Sequence, residues 1–197
     1  MADWQETIPH NIDATHLAGD MNKRFQKQAM REELRQKIAE KTGESSLLVA
    51  QILEYMVERP QLRVVALFAP IPGEVDLLAL TKMVGKIWVF PKVTEDGLIF
   101  QQVANVQTDL RSGAFGILEP KKCLPPVLPN EIDLFLCPGL GFDKLGGRIG
   151  RGRGFYDAAL AKSRPDSLRL GICFGHQLVD KVAMEEHDIR MHCVITA

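Results

Sequence analysis

The stretch Cys137-Pro-Gly-Leu-Gly-Phe-Asp-Lys-Leu-Gly-Gly-Arg-Ile-Gly-Arg-Gly-Arg-Gly-Phe-Tyr-Asp-Ala-Ala-Leu160 decides how the rest of the chain is read. The run Asp133-Leu-Phe-Leu-Cys137 leading into it has the composition of a short strand buried on both faces, and Pro138 closes it because proline cannot donate to a sheet's ladder. Seven glycines follow, at 139, 141, 146, 147, 150, 152 and 154, with Arg148, Arg151 and Arg153 set among them. Glycine permits positive φ and a close approach of backbone to ligand. Its N–H groups, beside forked and permanently charged guanidiniums, make a cradle suited to oxyanions, and phosphate fits that cradle best. Phe155-Tyr-Asp-Ala-Ala-Leu160 then predicts the first turns of a helix, whose N-terminal end favours an anion. Asp157, in that first turn, is placed to cap the helix or to hold a cation.

Two common phosphate motifs fail on spacing. No G-x-G-x-x-G occurs, and Gly147-Arg-Ile-Gly-Arg-Gly-Arg-Gly154 imitates a Walker A with arginine for lysine and no Ser/Thr for magnesium. The plain alternative is a flexible loop with solvated arginines, but such linkers are rich in serine and acids rather than in arginine.

Working outward, 197 residues predict one domain with a sizeable core. A net charge of −1 removes the general electrostatic case for nucleic acid or a membrane surface and points to a small-molecule partner. The four cysteines, Cys123, Cys137, Cys173 and Cys193, form no C-x-x-C pair, so they read as reduced thiols in a cytoplasmic protein. The N-terminus lacks a signal-peptide pattern, and no apolar run approaches the roughly 20 residues a membrane span needs.

Residues 1–20 read as a polar arm and 21–197 as a single domain. Met21 to Lys41 predicts a helix with Asp20 as N-cap, Gly43 as stop, and Met21, Phe25, Met30, Leu34 and Ile38 on its apolar face. Arg24, Lys27, Arg31 and Arg35 form a basic ridge on another stripe, which by itself reads as a solvated face balanced by Glu32 and Glu33. Ser46 to Arg59 predicts a second helix. Arg63 to Ala69 predicts a buried strand whose carboxyl end, turning through Pro70 to Gly73, is where α/β sheets place ligands. Glu74 and Asp76 follow, either facing that ligand or decorating a helix from Val75 to Val84. Lys86–Val93 and Leu98–Ala104 predict strands joined by a hairpin turn at Glu95-Asp-Gly97. Gln107 to Pro129 predicts a long loop beside the site, toward which Lys92 points. Leu168–Phe174 predicts a strand, Gln177–Met184 a short helix and Cys193–Thr196 a closing strand. The alternation predicts a three-layer α/β/α fold with a mostly parallel central sheet and an antiparallel addition.

The run PGLGFDxxGxRxGRGxGxYD resembles the signature of the 5-formyltetrahydrofolate cyclo-ligases, also called 5,10-methenyltetrahydrofolate synthetases. Lys27-Gln-Ala-Met-Arg31, Gly73-Glu-Val-Asp76, Phe90-Pro-Lys-Val93, Phe115-Gly-Ile-Leu-Glu-Pro120 and His187-Asp-Ile-Arg190 follow the family's order, so the resemblance covers about residues 23–196. It implies a three-layer α/β/α fold and ATP-dependent cyclisation of 5-formyltetrahydrofolate to 5,10-methenyltetrahydrofolate, with ADP and phosphate released. In the family ATP phosphorylates the formyl oxygen, N10 of the folate attacks the activated carbon, and phosphate departs.

By the same resemblance Lys27, Arg31, Arg148, Gly150, Arg151, Gly152, Arg153, Gly154, Phe155 and Tyr156 hold ATP. Ile71, Glu74, Asp76 and the run Arg151 to Phe155 face the reduced folate, and Arg151, Arg153 and Tyr156 serve catalysis. Asp157 and His192 are the implied magnesium ligands, His192 standing where many members have aspartate and Phe155 where most have tyrosine. The rival readings are a non-catalytic nucleotide- or folate-binding protein on the same fold, and an enzyme of that fold with another phosphate-bearing substrate.

Overall fold

The computed structural model describes the backbone over residues 14–40, 43–113 and 116–197. Helix α1 (Ala14–Glu40) begins inside the expected arm, so Asp20 lies within the helix and is not its cap. Helix α2 (Ser46–Val57) follows, then strand β1 (Val64–Ala66), a 3-10 turn at Leu78–Lys82, and strands β2 (Ile87–Thr94) and β3 (Gly97–Gln102). One turn of helix α3 (Val106–Asp109), strands β4 (Leu110–Ser112), β5 (Leu118–Pro120) and β6 (Pro126–Val127), and the central strand β7 (Leu134–Cys137) come next. The glycine-rich stretch carries strands β8 (Gly141–Phe142) and β9 (Arg148–Ile149) and helix α4 (Phe155–Leu160), and β10 (Leu168–Cys173) and β11 (Cys193–Thr196) finish the chain.

The central sheet runs β11-β10-β7-β1-β2-β3-β6. Its first five strands are parallel, and β3 and β6 pair antiparallel beyond β2. Successive side chains alternate between faces, as strand geometry requires. Val65, Leu134, Leu136, Leu170 and Ile172 point to one face and pack with Leu48, Ile52 and Met56, which recur every four residues along α2. Ala66, Phe135, Cys137 and Cys173 point to the other, where Ala159 and Leu160 of α4 cover them with Phe142. Each fully buried side chain of this kind contributes about 1.5–3 kcal/mol, so three layers are what both faces demand.

Counting only the parallel strands, the chain visits β1, crosses to β2 on one side, and returns to β7 on the other. The reversal opens a crevice between the carboxyl ends of β1 and β7, the place where doubly wound sheets bind ligands.

Several expected elements change character. The helix from Val75 to Val84 is only the 3-10 turn, because the Asp76 carboxylate accepts the Leu78 amide and the turn tightens to a period of three around the buried Leu77 and Leu80. The helix from Gln177 to Met184 does not form, since the Gln177 side chain turns inward to donate to the carbonyls of Gly139 and Leu140 and the Val182 amide goes to Asp143. The loop expected over 107–129 contains the β4–β5 hairpin and the edge strand β6, and Phe115 falls outside the described residues.

Candidate active site

The crevice is a cleft of about 900 Å³, near the upper end of the range for ligand pockets, roughly 300–1,000 Å³. Helix α1 supplies Arg24, Lys27 and Arg31 to one wall, and the glycine-rich stretch supplies Arg148, Arg151 and Arg153 to the next. The lining also includes Phe68, Pro70, Ile71, Pro91, Val93, Leu98, Ile117 and Leu118, apolar residues from the ends of β1 and β2 and from the β3–β5 region.

The basic ridge on α1 divides between two uses. Arg35 pairs with Glu32 in solvent, as a solvated face would, and Lys37, off the ridge, pairs with Glu33. Lys27 instead turns inward to 4% exposure, beside Met30, Leu34 and Ile38, while Met21 and Phe25, expected on the core face, stand exposed. Arg31 donates from Nε to the carbonyl of Gly150 at 3.1 Å, joining helix to loop.

The loop is a built structure rather than a flexible one. Asp143, 1% exposed, accepts the amides of Leu145 and Gly147 on Oδ1 and that of Val182 on Oδ2, all within 2.9 Å. Gly146 takes φ +81 and presses on the backbone of Met191, where a Cβ would collide with the carbonyl oxygen. Gly154 takes φ +66 as the residue before α4, a left-handed conformation that leaves Phe155 and Tyr156 turned to the cleft. Helix α4 has only six residues, so its dipole contributes little and the side chains carry the charge of this wall.

Arg148 is 8% exposed. It donates to Asp157 Oδ2 at 2.8 Å and to the Pro138 carbonyl at 3.5 Å, and its guanidinium lies 5.3 Å from the centre of the Tyr156 ring. Burial, chiefly, raises the Tyr156 phenol well above its ordinary value and pushes the neighbouring Cys137 thiol up to about 12. Tyr156 therefore keeps its proton at neutral pH. Arg151, on the rim, bonds Glu74 at 3.1 Å. Burial raises the Glu74 carboxyl against the opposing pull of Arg151. Arg153 sits at the rim with its guanidinium 5.9 Å from the Phe155 ring.

The cleft thus gathers Lys27, Arg31, Ile71, Glu74 and the residues Arg148 and Gly150 to Asp157. Two expected residues are not brought to it. Asp76 is exposed, its amide bonded to Ser45 and its carboxylate to the Leu78 amide, so it shapes a turn. His192 stands just before β11 and against β10, away from the cleft lining, where Nδ1 accepts the Arg169 amide and Nε2 faces the Arg169 guanidinium, each at 3.0 Å. Burial first, then the charge of Arg169, lowers its pKa. The pair Asp157 and His192 therefore does not converge on a metal.

The sequence reading passed over Glu185 and gave Arg24, Glu119, His187 and Asp188 no place at the cleft, which all five line. Glu185, His187 and Asp188 bring their ligand atoms within 4.8 Å of one another at the cleft, and the Lys27 ammonium bonds both carboxylates, Glu185 at 2.6 Å. The only signal for them was the His187-Asp-Ile-Arg190 segment, which carried no spacing that announces contact with residue 27.

A doubly wound α/β protein with a basic, glycine-walled cleft at its switch point is the class that fold and site define. The profile of the 5-formyltetrahydrofolate cyclo-ligase family matches residues 20–197. The chain is 30% identical over 151 residues to the 5-formyltetrahydrofolate cyclo-ligase of Haemophilus influenzae, covering 71% of this chain and 79% of that one. It is 33% identical over 144 residues to the Escherichia coli K12 enzyme of the same name, covering 67% and 76%. The solved 5,10-methenyltetrahydrofolate synthetase of Aquifex aeolicus superposes with a TM-score of 0.72 at 30% identity, over 86% of this chain and 89% of that one. The chain belongs to the 5-formyltetrahydrofolate cyclo-ligase family.

Proposed function

We propose that this protein catalyses the ATP-dependent cyclisation of 5-formyltetrahydrofolate to 5,10-methenyltetrahydrofolate, releasing ADP and phosphate. The observation that carries it is the convergence of six basic side chains, from α1 and the glycine-rich stretch, with apolar residues in one cleft. Phosphoryl transfer asks a protein for positioning and positive charge on the moving oxygens, not for a nucleophile. Lys27, Arg31 and Arg148 hold the nucleotide's phosphates from the inner wall. Arg151 and Arg153, at the rim, meet the transferring group, and the same run to Phe155 borders the folate. The folded pterin and aryl rings lie against the apolar residues, Ile71 among them, and Glu74 beside them offers a carboxylate to ring N–H groups.

The formyl oxygen takes the terminal phosphoryl group and ADP leaves, N10 attacks the formyl carbon and gives up its proton, and loss of phosphate leaves the methenyl bridge. Tyr156, holding its proton, orients the oxygens by donation. Magnesium neutralises phosphate charge in such reactions and prefers oxygen ligands. The carboxylates facing this cleft are Glu74, Glu119, Asp157, Glu185 and Asp188; Asp157 and Asp188, paired with Arg148 and Lys27, are the candidate ligands in place of His192. The cytoplasm is the proposed compartment, and no helix among the described residues is long and apolar enough to cross a membrane.

The test is formation of the methenyl product, followed by its near-ultraviolet absorbance, with ATP and magnesium both required. No product at high enzyme concentration would leave a nucleotide- or folate-binding protein. His192, which stands where many members have aspartate, lies away from the cleft and so does not favour that reading.

A further inference from the structure

We propose that Glu185 is a positioning residue of the nucleotide site, acting through Lys27. The proposal rests on the reading of Lys27 as a phosphate ligand. A lysine ammonium on a four-carbon stem has no preferred direction, and a buried one needs a partner to stay charged. Lys27 is buried to 4% exposure, and its Nζ lies 2.6 Å from Glu185 Oε2, with Asp188 as second partner. Glu185 Oε1 also receives Nε of Arg24 at 3.3 Å, so one carboxylate gathers two cations of the same helix wall.

Glu185 is itself held. Its amide donates to the Asp188 carboxylate at 2.6 Å, and the next amide along, that of Ile189, donates to Asp157 Oδ1 at 3.1 Å. Asp157 is the residue that binds Arg148 through its other oxygen. The segment 185–189 therefore links the cations on α1 to the cation on β9 through two sets of hydrogen bonds joined by the Asp188–Ile189 backbone. His187 Nε2, 4.0 Å from Glu185 and 3.8 Å from Asp188, stands at the solvent side of the same group. The Lys27 contact, the first cause, together with Arg24 holds the Glu185 carboxyl below its ordinary value, so the negative charge is present at neutral pH.

Two roles for Glu185 make opposite predictions. A carboxylate that merely happens to lie near a triphosphate repels it, and its removal tightens binding. A carboxylate that aims Lys27 weakens binding when it is removed. The experiment titrates Glu185→Gln with a non-hydrolysable ATP analogue by calorimetry, with magnesium and again in EDTA, and measures KM for 5-formyltetrahydrofolate alongside.

The expected result is a Kd for the analogue raised about tenfold in both media, the scale of one charge-assisted hydrogen bond, with the folate KM within about twofold. Lys27→Ala should weaken the analogue at least as much, and Glu185→Gln added to Lys27→Ala should change Kd by less than about twofold, because coupled residues are not additive. Tighter or unchanged binding in Glu185→Gln overturns the proposal. So does additive loss in the double variant, and so does a loss confined to magnesium, which would make Glu185 a metal ligand. If Lys27→Ala binds the analogue as wild type does, the reading of Lys27 as a phosphate ligand fails first and takes this proposal with it. Should Glu185→Gln not fold, Glu185→Asp keeps the charge but withdraws it by one methylene, and the same cycle with Lys27→Ala is read from it.

Discussion

At the amino-terminal end of β1, β7 and β10, Asp133 accepts the amides of Arg63 and Val64 at 2.7 Å and pairs with Arg164, above a hollow of about 430 Å³. At the carboxyl-terminal end Arg148 pairs with Asp157 beside the 900 Å³ cleft. The pairs look alike, and their surroundings differ in sign. The hollow is lined by one arginine and two aspartates, Arg164 against Asp133 and Asp166, so an anion finds no net attraction there. The cleft sets six bases against five acids, with three of the bases on a loop whose backbone a ligand can approach. An arginine–carboxylate pair is therefore no sign of function by itself; the balance of charge around the adjoining space is what separates a strand clamp from a candidate anion site. The comparison also shows that the cleft's own groups nearly neutralise one another, since Lys27, Arg148 and Arg151 each hold a carboxylate.

The sharpest way to break this contrast is Arg148→Ala, which belongs to both columns. It should lower turnover by about 10²–10³, the scale for losing a preorganised charge donor. It should also destabilise the fold by about 3–5 kcal/mol, because Asp157 is left partly buried without its counter-charge. Denaturant melts and steady-state rates measure the two, and a stable but inactive variant would deny Arg148 its structural share.

Arg151→Ala separates the columns. The side chain is 45% exposed and its partner Glu74 is already pushed toward the neutral form by burial, so stability should stay within about 0.5 kcal/mol. Turnover should still fall by about 10²-fold, and an unchanged rate would remove Arg151 from the reaction.

Asp133→Asn tests the other end. It should cost about 1–3 kcal/mol, as for a bond to a charged partner lost, with the rate per folded molecule unchanged. Burial alone would raise the Asp133 carboxyl, but the Val64 and Arg63 amides and Arg164 outweigh it and the net shift is downward. A carboxyl lowered on folding stabilises above its unfolded value, about 3.9, and that contribution is lost as pH falls through the lowered folded value. The stability difference between wild type and Asp133→Asn should accordingly be full at pH 7 and shrink below about pH 4. A difference that is flat with pH would show that the charge of Asp133 is not what matters.

His192→Asp should have the smallest effect. Its partner is Arg169 and not the cleft, so the magnesium titration of activity should move by less than twofold, about the size of assay scatter for a surface substitution. A clearly tighter magnesium dependence would return position 192 to the metal site.

How much of this was legible in the chain varies with the range of the interaction. The buried strands could be read because Leu134, Phe135, Leu136 and Cys137 declare their burial by their own side chains. The β2–β3 hairpin could be read from Glu95-Asp-Gly97, a local turn signal. The glycine-rich stretch and its arginines were legible as one basic wall of a cleft because they are contiguous in the chain. What escaped was long-range polar pairing. Lys27 meets Glu185 across 158 positions, and nothing near either residue encodes the other. The placement of His192 failed for a related reason: a residue just before a strand points to one face or the other by register, and the bond from its amide to the Arg169 carbonyl fixes that register only in the folded sheet. The inward turn of Gln177 likewise depends on the carbonyls of Gly139 and Leu140 that it serves, not on helix propensity.

The distribution of sulfur gives the bench a practical asymmetry. Cys137 and Cys173 are buried and held protonated, with pKa values pushed up to about 12 and about 11, whereas Cys123 and Cys193 are exposed and neither borders the cleft. A maleimide dye should therefore label the wild-type chain at two outward positions and spare the ligand site. Its fluorescence would then report nucleotide arrival from outside the chemistry, in a protein that needs no cysteine removed first.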